Sequence, residues 1–239
     1  MMDRRRALIA SSDVVLPPVP SGYITNGLVF FLDGKQLATA SKWIDIVGGK
    51  VFNLTDCTLT ANGVVFNGST SVGVMPGQIS TDWENETIEV VFTGADKTTS
   101  PDYTIYTRAI LCQPYMNDSV GISCRFGNYG DVRCAIGLDG VQRAVRHYPK
   151  KNDNVTYTHL IGLNTNLLIY NKTSKTATSN TTYSKNTTGN TVLGRSATTG
   201  TSGSLNGIIH AVRIYNRKLS QAEIIANQNN DLSYYGLSI

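Results

Sequence analysis

The stretch from Gly207 to Ile224 constrains the fold more than any other. It reads as an alternating strand, a short turn and a capped helix. From Ile208 to Tyr215 the spacing predicts two faces, with Ile208, His210, Val212 and Ile214 on one and Ile209, Ala211, Arg213 and Tyr215 on the other. Asn216-Arg-Lys turns the chain. Ser220 is the expected N-cap, Glu223 completes a capping box, and Leu219 is placed to staple onto Ile224. A chain ending this way closes a sheet with a short helix.

The rest of the sequence supplies the sheet. Gly27-Leu-Val-Phe-Phe-Leu-Asp-Gly is an apolar strand ending in a turn. Residues 43–54 hold Trp43, Ile44, Val47, Val51, Phe52 and Leu54 around a Gly48-Gly49 break. Gly63 to Val74 reads as strand, Asn-Gly turn, strand. Thr87 to Thr93 alternates, with Ile88, Val90 and Phe92 inward and Thr87, Glu89 and Val91 outward. Further strands are expected at 103–112, 120–126, 132–138, 155–163, 166–170 and 191–193, with hairpin turns at Asp139-Gly140 and Asn164-Thr165. The polar segment 171–189 is either exposed hairpin strands or a mobile loop. About a dozen short strands with turn signals every 8–12 residues predict an all-β sandwich. A chain of 239 residues, 41% hydrophobic, can fill one large core of that kind.

Charge narrows the partners. The net charge is +4, and Arg4, Arg5 and Arg6 stand together at the N-terminus while the remainder is close to neutral. No basic face runs along the chain, so a nucleic acid is not an expected partner. No run approaches the ~20 apolar residues of a membrane helix. The apolar piece Ala7–Ala10 is too short for a secretory signal, so a soluble product made in the cytoplasm is expected. Of the cysteines, Cys57, Cys112, Cys124 and Cys134, none stands in a zinc spacing. Cys124 and Cys134 could face each other across a hairpin, but without an export signal free, mostly buried thiols are expected.

Residues 1–22 are expected to form an anchoring arm apart from the body at 23–239: a short helix over 3–12, then the extended Leu16-Pro-Pro-Val-Pro. Such an arm is too short to fold alone. Arg4, Arg5, Arg6, Leu8 and Ile9 are its candidate anchoring residues, with acidic groups expected on the docking partner.

Four segments fall in the order of a known family. Gly27–Gly34, Val64-Val-Phe-Asn-Gly-Ser-Thr-Ser-Val, the Trp83–Phe92 strand with its Thr-Ile-Glu, and Gly207–Glu223 together resemble the laminin-G-like branch of the concanavalin A-like lectin/glucanase superfamily. The resemblance implies a jelly-roll β-sandwich, with glycan binding, protein binding or structural decoration as its uses and β-glucan hydrolysis in some relatives. It also implies a calcium ion at one rim in many members. No stretch here matches a calcium motif, so no cofactor is expected; Asp33, Asp45 and Asp139 sit at turns where carboxylates could serve as oxygen ligands or simply form the turn.

Catalytic patterns are weak. Paired glycosidase carboxylates must flank the bond at about 5–9 Å. The nearest candidate, Glu84-Asn-Glu86-Thr-Ile-Glu89, puts Glu89 on the opposite face from Glu84 and Glu86, which reads as a solvated strand entrance. His147, His159 and His210 stand without a nucleophile or metal spacing, and no nucleophile elbow or phosphate loop occurs. A non-enzyme without catalytic or metal residues is the expectation, a divergent glycoside hydrolase the remoter alternative. A sugar site needs a flat aromatic with amide or carboxylate groups beside it. Tyr115, Asn117, Asp118, Asn128, Tyr129 and Tyr148 meet that description on expected loops.

The basic arm, Pro-rich spacer and lectin-like body together resemble a bacteriophage structural protein: a capsid decoration, head fibre or tail appendage. That resemblance implies a homo-oligomer on a virion, docked to other virion proteins through residues 1–22 and adhering to glycans. The alternative is a carbohydrate-binding module of a bacterial protein.

Overall fold

Short alternating runs and frequent turn residues give an antiparallel all-β body. A computed structural model describes residues 15–79, 85–95, 111–112, 122–126, 132–138, 141–147, 156–164, 167–176, 190–195 and 204–238. The strands are β1 (Leu28–Asp33), β2 (Lys42–Ile44), β3 (Val51–Thr55), β4 (Thr58–Thr60), β5 (Gly63–Asn67), β6 (Val72–Met75), β7 (Thr87–Ala95), β8 (Leu111–Cys112), β9 (Ile122–Phe126), β10 (Val132–Leu138), β11 (Val141–His147), β12 (Thr156–Asn164), β13 (Leu167–Tyr170), β14 (Thr173–Thr176), β15 (Thr191–Leu193) and β16 (Asn206–Tyr215), followed by helix α1 (Gln221–Tyr235). The largest sheet runs β14-β13-β12-β7-β16-β5-β4, with β1 also paired to β16; a second runs β2-β3-β6-β15-β8, and β11-β10-β9 form a third.

The main core lies between the first two sheets. Phe30, Leu32, Phe66, Ile88, Val90, Phe92, Val212 and Ile214 of the large sheet meet Trp43, Phe52, Leu54, Met75 and Leu193 of the second. The expected phase of β7 holds: Ile88, Val90 and Phe92 face this core. Its other face is not solvated, however. Thr87, Glu89 and Val91 are buried as well, because α1 and the segment around Tyr23 cover that side. The reading of Glu89 as part of a solvated strand entrance is therefore corrected. Both faces of β7 are buried along this stretch, as alternation in β7 alone could not reveal.

The expected faces of β16 also need correction. Ile209, Val212 and Ile214 share the main core, whereas Ala211 belongs to the cluster under α1. The phase changes because the β16–β7 register slips between Ile209 and Ala211. A bulge adds one residue to one strand and flips every side chain beyond it. At this point the other edge of β16 changes partner, from β5 (Ile209 opposite Val64) to β1 (Ala211 opposite Asp33). Gly34 and Gly63 meet at the junction. A Cβ on Gly34 would lie 2.5 Å from Gly63 Cα, and one on Gly63 2.5 Å from Ile209 O, so backbones must touch here.

Turn chemistry places the connections. Leu138 pairs with Val141, and the turn expected at Asp139-Gly140 lies outside the described residues. Asn171 and Lys172, with φ of 44° and 66°, join β13 to β14, a geometry that suits a hairpin needing two positive φ values. The beginning of the polar segment is thus hairpin strand. Asn67-Gly68 behaves differently from the hairpin expected there. β5 and β6 lie in separate sheets, and Asn67 Oδ1 accepts the backbone N–H groups of Ser69, Thr70 and Ser71. The side chain folds a crossover between layers.

Helix α1 is capped as its sequence predicts. Ser220 and Glu223 form the reciprocal box, and Gly236 ends the helix with φ of 66°. Leu219 and Ile224 share one buried cluster with Tyr215 and Ile169. Arg217 braces the box by a 2.6 Å ion pair to Glu223, holding that carboxyl down at about 2. The Pro-rich spacer touches the body at its end, where Val19 packs against the buried cluster that includes Tyr23, Phe31 and Tyr235. Arg4, Arg5, Arg6, Leu8 and Ile9 lie outside the described residues. Among the described residues no helix is long and apolar enough to cross a membrane.

The Gly34–Gly63 contact yields a prediction. Gly63→Ala should destabilise by roughly 1–3 kcal/mol, the usual cost of overpacking where backbone cannot yield. Urea unfolding of the variant beside the parent protein measures it.

Candidate functional site

Arg213 is the most conspicuous functional group of the described residues. Alternation beyond the bulge places it under α1, where it is only 1% exposed. A buried guanidinium needs all its donors matched and its charge compensated. Its Nη1 and Nη2 donate to the two oxygens of Asp231 on α1, each at 2.6 Å. Its Nε donates to Glu89 Oε2 on β7 at 2.8 Å. The plane lies over Tyr23, Cζ to ring centroid 4.6 Å, and beside Phe31 at 5.4 Å. Aromatic faces stabilise a desolvated cation further.

The network continues on every side. Tyr23 OH donates to Asp231 Oδ1. Asn227 Nδ2 lies 2.9 Å from both Glu89 Oε2 and Tyr215 OH, and Asn227 Oδ1 accepts Ile24 N–H. Tyr215 OH in turn donates to Ile24 O. One guanidinium thereby ties β16, β7, α1 and the segment at residues 23–24 together.

Two carboxylates face one cation. Asp231 holds the bidentate position. Glu89 Oε1 has no hydrogen-bond partner among the described residues. Burial raises Glu89 most, Arg213 pulls it back, and the Asp231 charge pushes it up again, leaving it at about 7. Arg213 is held charged well above its ordinary value, its two acids outweighing desolvation. The raised carboxyl resembles a general acid in its titration. Its place does not resemble one: Glu89 is 2% exposed and Asp231 fully buried, so no substrate reaches either. This cluster does its work on the fold.

Two further acids form turns. Asp33 accepts from Lys35 N–H, Gln36 Nε2, Tyr234 OH and Tyr235 OH. Asp45 accepts the N–H groups of Phe31, Val47 and Gly48, and burial raises its pKa against those bonds. Their oxygens are occupied, as turn formers require. No group of three or more His, Cys, Asp or Glu among the described residues could hold a metal; Asp139 lies outside them. His210 sits at the bulge, its Nδ1 2.7 Å from Asn62 O and its Nε2 2.9 Å from Thr93 Oγ1. A carbonyl can only accept, so Nδ1 carries the proton, and burial lowers the pKa. Tyr115, Asn117, Asp118, Asn128, Tyr129 and Tyr148 all lie outside the described residues, as does Glu84. The Arg213 network itself escaped sequence reading. Its one signal was a polar residue at alternating positions in each of two strands, Glu89 and Arg213, that proved to be neighbours.

Comparison with known proteins places the chain by fold. Residues 107–225 match the family model described as the concanavalin A-like lectin/glucanases superfamily. No curated protein matches. Among solved structures, Trypanosoma rangeli sialidase in complex with sialic acid shares 20% identity over 94% of this chain, with a TM-score of 0.60. The same enzyme bound to 2,3-difluorosialic acid as a covalent intermediate gives 19% identity over 94% of this chain and a TM-score of 0.59. A mutant of HCR D/C VPI 5995 gives 12% identity over 84% of this chain and 52% of its own, with a TM-score of 0.57. The chain spans only about a third of the sialidase, 36% of that chain.

The expectation of a non-enzyme is corrected by these likenesses, since the solved structures of this fold include a sialidase, a glycoside hydrolase. The physical fault lay in the test applied. A search for two acids on one strand does not test for sialidases, which use a Tyr nucleophile. The likeness, at this identity, is one of fold.

Two outcomes follow from the buried cluster. Arg213→Met should cost on the order of 3–5 kcal/mol in urea unfolding, because two acids are left uncompensated. Glu89 binds its proton more tightly folded than unfolded, so its contribution is full below about pH 4.5 and is lost as pH rises through about 7. The stability of the parent minus that of Glu89→Gln should therefore fall between pH 5 and 7.5; a flat difference would show that Glu89 is ionised throughout.

Proposed function

We propose that this chain is a glycan-recognition module with a lectin-type jelly-roll body. The observation that carries the reading is the family match over residues 107–225. That stretch contains all six residues suited to a sugar, Tyr115, Asn117, Asp118, Asn128, Tyr129 and Tyr148. Aromatic rings stack on the apolar faces of pyranoses while amides and carboxylates take hydroxyls. The complex of the sialidase with sialic acid makes sialylated glycans the first class to test.

The setting we propose is a virion surface, with residues 1–22 as the anchor to other virion proteins and a homo-oligomer on the particle. Three adjacent arginines and a Pro-rich spacer support it. Seating of Val19 against the body supports it too, since a spacer fixed at one end sets the direction of the arm. A bacterial carbohydrate-binding module uses the same body without the anchor.

Hydrolysis of a glycosidic bond is the second reading, favoured by the sialidase structures.

The full-length chain on an array of sialylated, galactosylated and β-glucan ligands should bind a defined class. Tyr115→Ala, Tyr129→Ala and Tyr148→Ala should each weaken that binding about fivefold where the ring stacks, as ~1 kcal/mol implies. No binding to any class sinks the recognition reading. Release of free sialic acid from a sialyl-lactoside, measured on the same preparation, would move the assignment to hydrolysis.

A further inference from the structure

The three-stranded sheet sets two cysteines against each other. β9 and β10 are antiparallel, and their register pairs Cys134 directly with Cys124. The pairing is fixed on both sides, by Phe126 opposite Val132 and Ile122 opposite Ile136. β10 is held from its other edge by seven further pairs with β11, from Val132–His147 to Leu138–Val141. The cysteine pair thus stands mid-strand, Cys134 in the central strand of its sheet and Cys124 on the neighbouring β9, where register has little freedom to slip.

Backbone geometry meets the requirement of a disulfide. Directly opposed residues of an antiparallel pair lie on one face with Cα atoms about 4.5–5.5 Å apart. Disulfides span Cα separations of roughly 4.4–6.8 Å. The remaining cysteines have no such counterpart. Cys112 pairs with Val192 in another sheet. Cys57 is buried, with Sγ bonded to Thr55 O and Val72 O.

We propose that Cys124 and Cys134 are an oxidation site that closes a cross-strand disulfide once the protein meets a low-molecular-weight disulfide. The oxidant is of the oxidised-glutathione class. One cysteine thiolate attacks a sulfur of the small disulfide, breaking its S–S bond, forming a mixed disulfide and expelling one small thiolate. The second cysteine thiolate then attacks the protein sulfur, forms the Cys124–Cys134 bond and expels the other. The protein gives up two protons and two electrons, and the oxidant becomes two thiols. In a reducing cytosol the pair stays open; outside it the bond staples β9 to β10. Free thiols at these two positions are thus the state of a reducing compartment only.

The test uses the full chain, equilibrated in glutathione buffers from reducing to oxidising and then digested without reduction. Mass mapping should find the Cys124 and Cys134 peptides joined and lighter by two hydrogens under oxidising conditions, with Cys57 still a thiol. The oxidised protein should melt roughly 5 °C higher than the reduced one, as expected for a bridge closing a short loop in a chain of this size. A Cys124→Ala/Cys134→Ala double variant should show no such difference between buffers. Both residues still alkylatable in the oxidising buffer, a bridge from either to Cys112, or an unchanged melting temperature with the bridge formed would each overturn the proposal. Mapping on the unaltered chain gives its answer whether or not the variant folds, and whether or not any glycan binds.

Discussion

One guanidinium holds the far side of the large sheet together. Arg213 meets Asp231 and Glu89 in the buried interior, where β16, β7, α1 and the segment at Tyr23 each contribute a group. A buried ion of this kind adds little net stability over a well-packed apolar residue. What it supplies is selectivity of arrangement. The helix can dock only where Asp231 reaches both terminal nitrogens, and the leading segment only where Tyr23 reaches Asp231. Slipping α1 by one residue would strand a charge in the dry interior. The surplus acid leaves the arrangement sensitive to pH, because two carboxylates share one cation and one of them, Glu89, has no partner on Oε1 among the described residues.

The bulge in β16 makes this possible. A strand of strict alternation would carry the residues on each side of His210 on unbroken faces. The extra residue shifts the phase, so Ile209 and Val212 both face the sandwich core while Arg213 faces the helix. The same point lets β5 and β1 share one edge of β16 in succession. Gly34 and Gly63 permit the close backbone approach, and His210 satisfies Asn62 O and Thr93 Oγ1 across it. Bulge, glycines and histidine form one device for changing partners along a single strand.

For function, the described residues divide the molecule usefully. The buried cluster explains how the sheet is capped, and neither of its acids, Glu89 and Asp231, is accessible. The match at 107–225 covers the stretch with all the sugar-suited residues. Fold neighbours include a sialidase, and the chain covers about a third of it. A fold of this kind supports recognition and chemistry alike, so the distinction lies in the site and not in the sandwich.

Sequence alone determined the local events. The capping box at Ser220 and Glu223, the Leu219–Ile224 contact and the core phase of β7 all follow from residues a few positions apart, whose energies do not depend on the rest of the chain. The all-β class followed from the same signals summed. Tertiary structure alone decided which faces stay dry, where β16 changes phase, that Asn67-Gly68 crosses between sheets, and that Glu89, Arg213 and Asp231 meet. Glu89 and Arg213 are 124 positions apart. Their burial depends on a helix placed by contacts of equally long range, and no local pattern encodes which solvent-like residue another element will cover.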